Sequence, residues 1–262
     1  MMKKAIYLIL ICFLSAACST SKQLNLNVFS IEDDKKLGAE VAAQVESDSS
    51  GYKFLDSIKY AFVYKYVNQV RDNILNSGQL GHRNDFKWKI KIIHDDSTLN
   101  AFCTPGGYIY VFTGILKFLE SEDQLAGVLG HEMAHADRRH STRQMTEMYG
   151  VEILMEIVAG NRAAIKQISG ALIGLKFSRN HEREADEYSV KYLCPTQYNA
   201  AGGAGFFEKI QSQGGSKIPE FLSTQPDPGN RIEAFKTNKI NLGCKGENQF
   251  ISEYKQMVRK LP

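Results

Sequence analysis

Residues 131–135 read His131-Glu132-Met133-Ala134-His135, and this stretch decides what the rest of the chain must be built around. Residues four apart on an α-helix lie on one face about one turn apart, so His131 and His135 can share one tetrahedral metal ion. Glu132 lies beside the first histidine, where its carboxylate can serve as general base toward an attacking water. The pattern predicts a zinc-dependent peptidase with its metal and base on one helix.

The helix that carries this motif has a predicted N-terminus, and a third histidine follows the motif in sequence. Ser121 followed by Gln124 is a capping-box pattern, which predicts a helix that begins there and continues through Arg139. His140 follows His135 by five residues, or about 140° around a continuous helix. We therefore expect His140 at the surface or behind the metal ligands, and not on the metal.

A catalytic zinc ion needs a third protein ligand and an open position, and a second predicted helix offers the ligand. Ser178 is its predicted N-cap, and Glu182 and Asp186 share one face because they are four residues apart. Glu182 is the predicted third ligand. Asp186 is predicted to accept a hydrogen bond from the far nitrogen of a ligand histidine. His181 and Glu184 point elsewhere, and we expect both to be solvent-exposed.

Periodicity in the remaining sequence predicts an α+β fold, mostly helical, with a small edge sheet over the motif helix. Apolar residues recur at helical spacing in most segments, whereas lysines alternate with apolar residues in the first strand. The stretch 151–177 is expected to form two packed helices or, alternatively, a mobile lid. The predicted elements are helices at 30–46, 56–76 and about 248–260 and strands at 87–92, 100–103 and 108–112. The second helix is predicted to bury an apolar face formed by Ile58, Phe62, Val63, Val67, Val70, Ile74 and Leu75.

The N-terminus has the pattern of a secreted lipoprotein. Two lysines precede an apolar run at 5–14 that is too short to span a membrane, and Ser15-Ala16-Ala17-Cys18 then resembles a bacterial lipobox. We expect cleavage before Cys18 and a lipid anchor on its thiol; the alternative is a plain signal peptide cut near Ala17. The predicted division is a signal peptide at 1–17, a tether at 18–29, a zinc metallopeptidase domain at 30–245 and a helical tail at 246–262.

Three cysteines remain after this processing, namely Cys103, Cys194 and Cys244. Because the compartment is oxidising, an odd number predicts one disulfide and one free thiol. Cys103 lies in an apolar, strand-like stretch, which predicts a free and buried thiol. Cys194 and Cys244 are then a candidate disulfide.

The overall composition is that of a globular protein, with 43% hydrophobic and 23% charged residues over 262 positions. The net charge of +3 is close to neutral for this length. Because no Lys/Arg cluster is interleaved with aromatic residues, nucleic acid is not an expected partner.

Several segments resemble, in the same order, the HtpX-like and Oma-like zinc metallopeptidases of the gluzincin type. The signature is the motif at 131–135 followed by Ser-Arg-x-x-Glu-x-x-Ala-Asp at 178–186. Three further segments agree: the first helix from Ser30 to Gly38, an Asn-Ala-Phe and Pro-Gly-Gly hairpin at 100–109, and Ser-Thr-Gln-Pro with Arg-Ile at 223–232. The resemblance covers roughly residues 30 to 235.

The resemblance implies a role for each of these segments. Zinc would be held by His131, His135 and Glu182, one ion per chain, with Glu132 as general base. The hairpin would present an edge strand that pairs with an extended substrate chain. The residues implied in substrate binding are Asn100, Ala101, Phe102 and Arg231.

A fourth protein ligand is not expected. The family usually has histidine in its Ser-Thr-His-Pro segment, and in envelope members that histidine can approach the zinc. This chain has Gln225 at that position, and glutamine is a poor zinc ligand. We therefore expect no protein ligand at the fourth zinc position.

The resemblance also implies a location and a substrate class. A lipid-anchored member is most similar to the LoiP/BepA-like envelope lipoprotein proteases, and the shorter LoiP-like form fits better. We expect an endopeptidase anchored in the cell envelope, facing the periplasm from the outer membrane. It would hydrolyse misfolded or unassembled envelope proteins, with outer-membrane assembly machinery as a further expected partner. The alternative is a zinc-containing chaperone or binding module with little hydrolysis.

Overall fold

The computed structural model describes residues 27–47, 51–173, 175–213 and 228–262. The predicted signal peptide, Cys18 and Gln225 lie outside these residues. No helix within the described ranges is both long and apolar enough to cross a membrane. The elements are α1 (Ile31–Val45), α2 (Ala61–Leu75), β1 (Lys89–Ile93), β2 (Ala101–Thr104), β3 (Tyr108–Phe112), α3 (Thr113–Phe118), α4 (Glu122–Asp137), α5 (His140–Met148), α6 (Val151–Val158), α7 (Arg162–Ile173), α8 (Arg179–Leu193), α9 (Gly203–Ser212), α10 (Pro228–Asn241) and α11 (Ile251–Val258).

The three strands form one small mixed sheet with β3 in the centre. β1 lies parallel to β3, and β2 lies antiparallel to it. The turn between β2 and β3 uses Gly106 and Gly107, whose φ angles of 75° and 83° favour glycine. A Cβ on Gly38 would lie 1.8 Å from the carbonyl oxygen of Pro105, so glycine is needed there for α1 to pack directly on this turn.

The core has two parts, and the motif helix α4 lies in the larger one. That part packs α2, α4, α8 and α9 against one face of the sheet. The smaller part lies on the other face, between α1, α6 and α7. Helix α11 belongs to the larger part, because Tyr254 and Met257 are fully buried in it. The predicted α+β fold with a small sheet over the motif helix is confirmed, and residues 151–173 form packed helices.

The first two helices test the predicted helix starts. Helix α1 begins as predicted, with a reciprocal capping box between Ser30 and Asp33. Helix α2 begins five residues later than predicted, because the carboxylate of Asp56 accepts hydrogen bonds from two backbone N–H groups and closes a turn instead. Ile58 and Phe62 are consequently 87% and 47% exposed, so their assignment to the buried face was wrong.

The predicted capping box of the motif helix is also wrong. Ser121 occupies the N-cap position of α4, but its side chain caps no backbone N–H. The hydroxyl of Ser121 donates to the carboxylate of Asp123 instead. The amide oxygen of Gln124 accepts from the backbone N–H of Glu120 and not from that of Ser121. Burial of this end within the core therefore overrides the local pattern.

The cysteines are placed as the sequence suggested. Cys194 and Cys244 form a disulfide between the end of α8 and the segment after α10. Cys103 is free and buried in β2. The disulfide closes a loop across 50 residues of sequence. A cross-link of that span restricts the unfolded chain strongly.

Replacing both bridge cysteines with alanine should lower the free energy of unfolding by about 2–4 kcal/mol. Urea unfolding followed by circular dichroism, with and without reductant, measures this loss. Cys103→Ala is the matched control, since it removes a buried thiol without touching the bridge. Equal sensitivity of the double variant and the parent to reductant would contradict the assigned bridge.

Candidate metal centre and active site

Three predicted ligand residues meet in the structure at one buried point. Nε2 of His131 lies 3.0 Å from Nε2 of His135, both on α4. Glu182, in the first turn of α8, brings Oε2 to 3.2 Å from Nε2 of His131 and Oε1 to 3.6 Å from Nε2 of His135. Helix α8 starts at the predicted position because the side chain of Ser178 accepts a hydrogen bond from the backbone N–H of His181.

The donor set fits a zinc ion. Oε2 of Glu182 is buried and has no hydrogen-bond partner, which costs free energy unless a cation satisfies it. The imidazoles of His131 and His135 hold the pKa of Glu182 well below its usual value, although burial alone would raise it. Two imidazole nitrogens and one carboxylate are a common catalytic zinc ligand set, which leaves a fourth position open.

Asp186 fixes the first ligand histidine. Its Oδ1 lies 2.9 Å from Nδ1 of His131, so Nε2 of that ring is left to face the metal position. Arg231 of α10 donates to both oxygens of Asp186, at 2.7 Å from Nε and 2.5 Å from a terminal nitrogen. Burial lowers the pKa of His131, but the adjacent carboxylates of Asp186 and Glu182 outweigh burial and raise it to about 10.

Glu132 is buried beside the ligands but is not one of them. Burial raises the pKa of its carboxyl group to about 7, while the positive charges of His131 and Arg231 and a hydrogen bond from the Cys103 backbone oppose that rise. A carboxyl group with a pKa near neutrality both accepts and releases protons readily at physiological pH. The position and pKa of Glu132 therefore suit a general base.

Three polar residues outside the ligand set are packed behind His135. His140 is fully buried, with Nδ1 at 2.9 Å from Nδ1 of His135. His181 is 3% exposed and stacks on His140 with ring centroids 4.5 Å apart. Glu184 is half-buried and lies 3.2 Å from Nε2 of His140. His140 thus takes the second of its two expected positions, behind the metal ligands. The expected solvent exposure of His181 and Glu184 was wrong, because α4 ends at Asp137 and the chain then turns back so that His140 packs against both.

The backbone of Arg139 makes this turn. Its φ of 59° and ψ of 35° are left-handed, which is uncommon for a residue other than glycine. The guanidinium of Arg139 is held by the carboxylate of Asp34 and the carbonyl oxygen of Phe29, both at the start of the described chain. The motif helix was predicted to continue through Arg139 but ends before it, because Arg139 makes a tertiary contact instead. This turn places His140 against His135.

The strand β2 lies beside the motif helix at one edge of the sheet. Phe112 donates its N–H to the carbonyl oxygen of Asn100, so alternation directs the N–H and C=O groups of Ala101 and Cys103 away from β3. No other strand pairs with this edge among the described residues. Such an edge can accept an extended peptide chain as an added strand.

The residues implied in substrate binding occupy different environments. Ala101 lines a pocket beside His131 and Glu132, and Oδ1 of Asn100 is buried without a hydrogen-bond partner. Phe102 points to the other face and stacks on Tyr110 at 4.8 Å. Arg231 also lines the pocket, but its guanidinium is committed to Asp186. A substrate contact by any of these residues stays a prediction.

The pocket beside the ligands is apolar. Its cavity volume is about 30 Å³, and the roughly 360 Å³ of empty space around it includes open solvent. Sequence periodicity did not identify it, because its aromatic wall comes from α9 and α10, which are distant in sequence from the motif. Its apolar lining consists of Ala101, Ile115, Val128, Phe206, Phe207 and Phe235.

Comparison with known proteins agrees with this geometry. The sequence model of Peptidase family M48 matches residues 64–239, which include the motif, Glu182 and Asp186. The chain belongs to this family. The finer likeness to the LoiP-like form is not resolved by the match.

Several curated relatives are similar over a large part of the chain. Mitochondrial metalloendopeptidase OMA1 of Schizosaccharomyces pombe is 30% identical over 218 residues, covering 81% of this chain and 63% of the relative. The putative beta-barrel assembly-enhancing protease of Vibrio cholerae is 30% identical over 187 residues, covering 62% and 39%. The beta-barrel assembly-enhancing protease of Escherichia coli is 27% identical over 187 residues, covering 64% and 38%. The chain thus spans less than two thirds of the length of each of these relatives.

Proposed function

We propose that this M48 family member is a zinc-dependent endopeptidase that cleaves unfolded or misassembled proteins of the bacterial cell envelope. The observation that carries the activity is the meeting of His131, His135 and Glu182, with Glu132 beside them and the edge strand β2 alongside. A binding module or chaperone has no need of a buried carboxyl group poised near neutrality.

The chain's own residues account for binding and proton transfer. An extended substrate pairs with the outward N–H and C=O groups of Ala101 and the C=O group of Cys103, which brings a peptide bond over Glu132. Glu132 removes a proton from the attacking water and delivers it to the leaving amine. Asp186 and Arg231 keep His131 in one orientation throughout. When bound, zinc supplies Lewis-acid polarisation of the scissile carbonyl and lowers the pKa of water.

The proposed location rests on the lipobox-like sequence that ends at Cys18 and on the similarity to two beta-barrel assembly-enhancing proteases, one of them putative. Substrates would then be envelope proteins that expose extended segments before or instead of assembly. Labelled palmitate should enter the parent chain but not a Cys18→Ser variant. Equal labelling of both chains would remove the support for an anchor at this residue.

Metal removal tests the activity directly. The purified protein should contain one zinc ion and cleave an unfolded test protein such as reduced casein. A chelator should abolish cleavage and added zinc should restore it, because the proposed reaction needs the single ion that this ligand set would hold. Casein binding without cleavage by the zinc-loaded protein would favour the chaperone alternative.

The apolar pocket predicts which peptide bonds are cleaved. Each CH₂ group buried there contributes about 0.8 kcal/mol, so peptides with an apolar residue beside the scissile bond should have a kcat/KM roughly 10-fold above those with Asp or Lys. Quenched fluorescent peptides measure the ratio. Val128→Phe should fill the pocket and reduce the ratio, whereas Val151→Phe, at an exposed site on α6, should not. Equal cleavage of apolar and charged peptides would contradict this subsite.

A further inference from the structure

His140 is a buried histidine that the proposed chemistry does not use. Its ring has no exposed surface, and both of its nitrogens have a polar neighbour. Nδ1 lies 2.9 Å from Nδ1 of His135, a metal ligand, and Nε2 lies 3.2 Å from Oε2 of Glu184. A buried imidazole placed between a metal ligand and a carboxylate is suited to fixing the orientation of that ligand.

The protonation of these two rings follows from their partners. His135 directs Nε2 toward His131 and Glu182, so that nitrogen must be unprotonated to bind a metal ion, and Nδ1 carries the proton. Nδ1 of His135 is then the donor and Nδ1 of His140 the acceptor. Nε2 of His140 therefore carries a proton and donates to Glu184. Every nitrogen in the chain has one consistent role.

Glu184 is held in place as the end of this chain of hydrogen bonds. Nε of Arg138 donates to one carboxylate oxygen at 2.8 Å, and a terminal nitrogen of Arg143 donates to the other at 3.1 Å. Two guanidinium groups keep the carboxylate ionised and fix its position, so it accepts from His140 in one geometry. The other ligand histidine is held in a comparable way, through Asp186 and Arg231.

The backbone is bent in order to place His140. A continuous helix would direct a residue five positions after His135 about 140° away from it. The left-handed conformation of Arg139, which is strained for a residue other than glycine, ends α4, so that α5 begins with His140 facing back toward the metal centre. Asp34 and Phe29 hold Arg139 in this conformation.

We infer that His140 is a positioning residue for the metal centre. It accepts a hydrogen bond from Nδ1–H of His135, which fixes the tautomer and ring orientation of that ligand. His140 is itself held by its hydrogen bond to Glu184. The inference rests on the proposed zinc site. It assigns a function to the histidine that follows the motif by five residues and does not bind the metal. The chain from His135 through His140 to Glu184 forms the counterpart of the contact between His131 and Asp186.

Zinc affinity of the whole protein tests this inference, with the free metal as probe and chelator competition as the readout. His140→Leu removes the acceptor and should weaken zinc binding by roughly 10- to 100-fold. His140→Asn keeps an acceptor oxygen near the position of Nδ1 and should restore most of the affinity. His82→Leu is the matched control, because His82 also pairs with a carboxylate, that of Asp85, but touches no metal ligand.

A spectroscopic measurement on the parent protein keeps the inference testable if His140→Leu does not fold. With ¹⁵N-labelled histidine and zinc bound, the Nδ1 proton of His135 should be protected from exchange and show coupling across an N–H···N hydrogen bond. Absence of that coupling, or an unchanged zinc affinity in folded His140→Leu, would overturn the inference. Because neither readout depends on cleavage, a zinc-loaded parent that cleaves nothing would count against the proposed function alone.

Discussion

Glu132→Gln should reduce the cleavage rate of an unfolded protein by roughly 10²- to 10⁴-fold while zinc remains bound at one ion per chain. Glutamine preserves the size and hydrogen-bonding shape of the side chain but cannot take up a proton. The buried carboxyl group of Glu132, with its pKa of about 7, is the group best placed for that step. The three ligand residues are unchanged, so metal content should not fall. Steady-state cleavage of labelled casein and metal analysis by mass spectrometry give both quantities.

Glu187→Gln is the control for this prediction. Glu187 is an exposed residue of α8, the helix that also carries Glu182, and it takes no part in the site. Its replacement removes the same charge and should leave the rate unchanged. A Glu132→Gln protein that cleaves at the parental rate would exclude Glu132 as the base, and a loss of zinc from that variant would show that the carboxylate holds the metal.

Arg231→Met should destabilise the protein by about 3–5 kcal/mol, since it removes one partner of a buried ion pair and leaves the other charged. Arg231 is 4% exposed and donates two hydrogen bonds to Asp186, which is 3% exposed. Methionine has most of the volume of the aliphatic part of the arginine side chain. The loss of stability therefore reflects chiefly the removal of the positive charge. The freed carboxylate of Asp186 should also hold His131 less firmly, which weakens zinc binding.

Urea unfolding in the presence and absence of zinc separates these two effects. Arg259→Met serves as control, because Arg259 lies exposed after α11 and should contribute less than about 0.5 kcal/mol. If Arg231→Met unfolds at the parental midpoint, the ion pair with Asp186 does not stabilise the fold. If it loses cleavage with stability and zinc affinity intact, Arg231 acts on the substrate, as the family resemblance implies.

The sequence predicted those features that depend on local spacing. Four-residue intervals placed His131 with His135 and Glu182 with Asp186, and Ser30 marked the start of α1 correctly. The position of His140 could not be predicted in this way, because it depends on the left-handed residue Arg139. That conformation is imposed by Asp34, which lies 105 residues away in sequence.

Long-range contacts explain the other misplaced residues in the same manner. Glu184 was expected in solvent because its position on α8 is 200° from that of Glu182, which faces the metal. In the structure this side of α8 meets Arg138 and Arg143 from the chain around the end of α4. The aromatic wall of the apolar pocket likewise depends on how α9 and α10 pack, and no periodic pattern in the sequence carries that information.

Under the proposed pairing of substrate with β2, cleavage would depend on the folding state of the substrate. The opposite edge of the sheet is covered, since Leu55 donates to the carbonyl oxygen of Ile92 and His94 donates to that of Lys53. A substrate that joins at β2 must offer several residues whose own backbone hydrogen bonds are free. A client that spends about 5 kcal/mol to open such a segment would be cleaved roughly 10³- to 10⁴-fold more slowly than one already open. The strand would thus make the cleavage rate depend on the local stability of the substrate and not on its sequence, so that folded proteins are cleaved slowly.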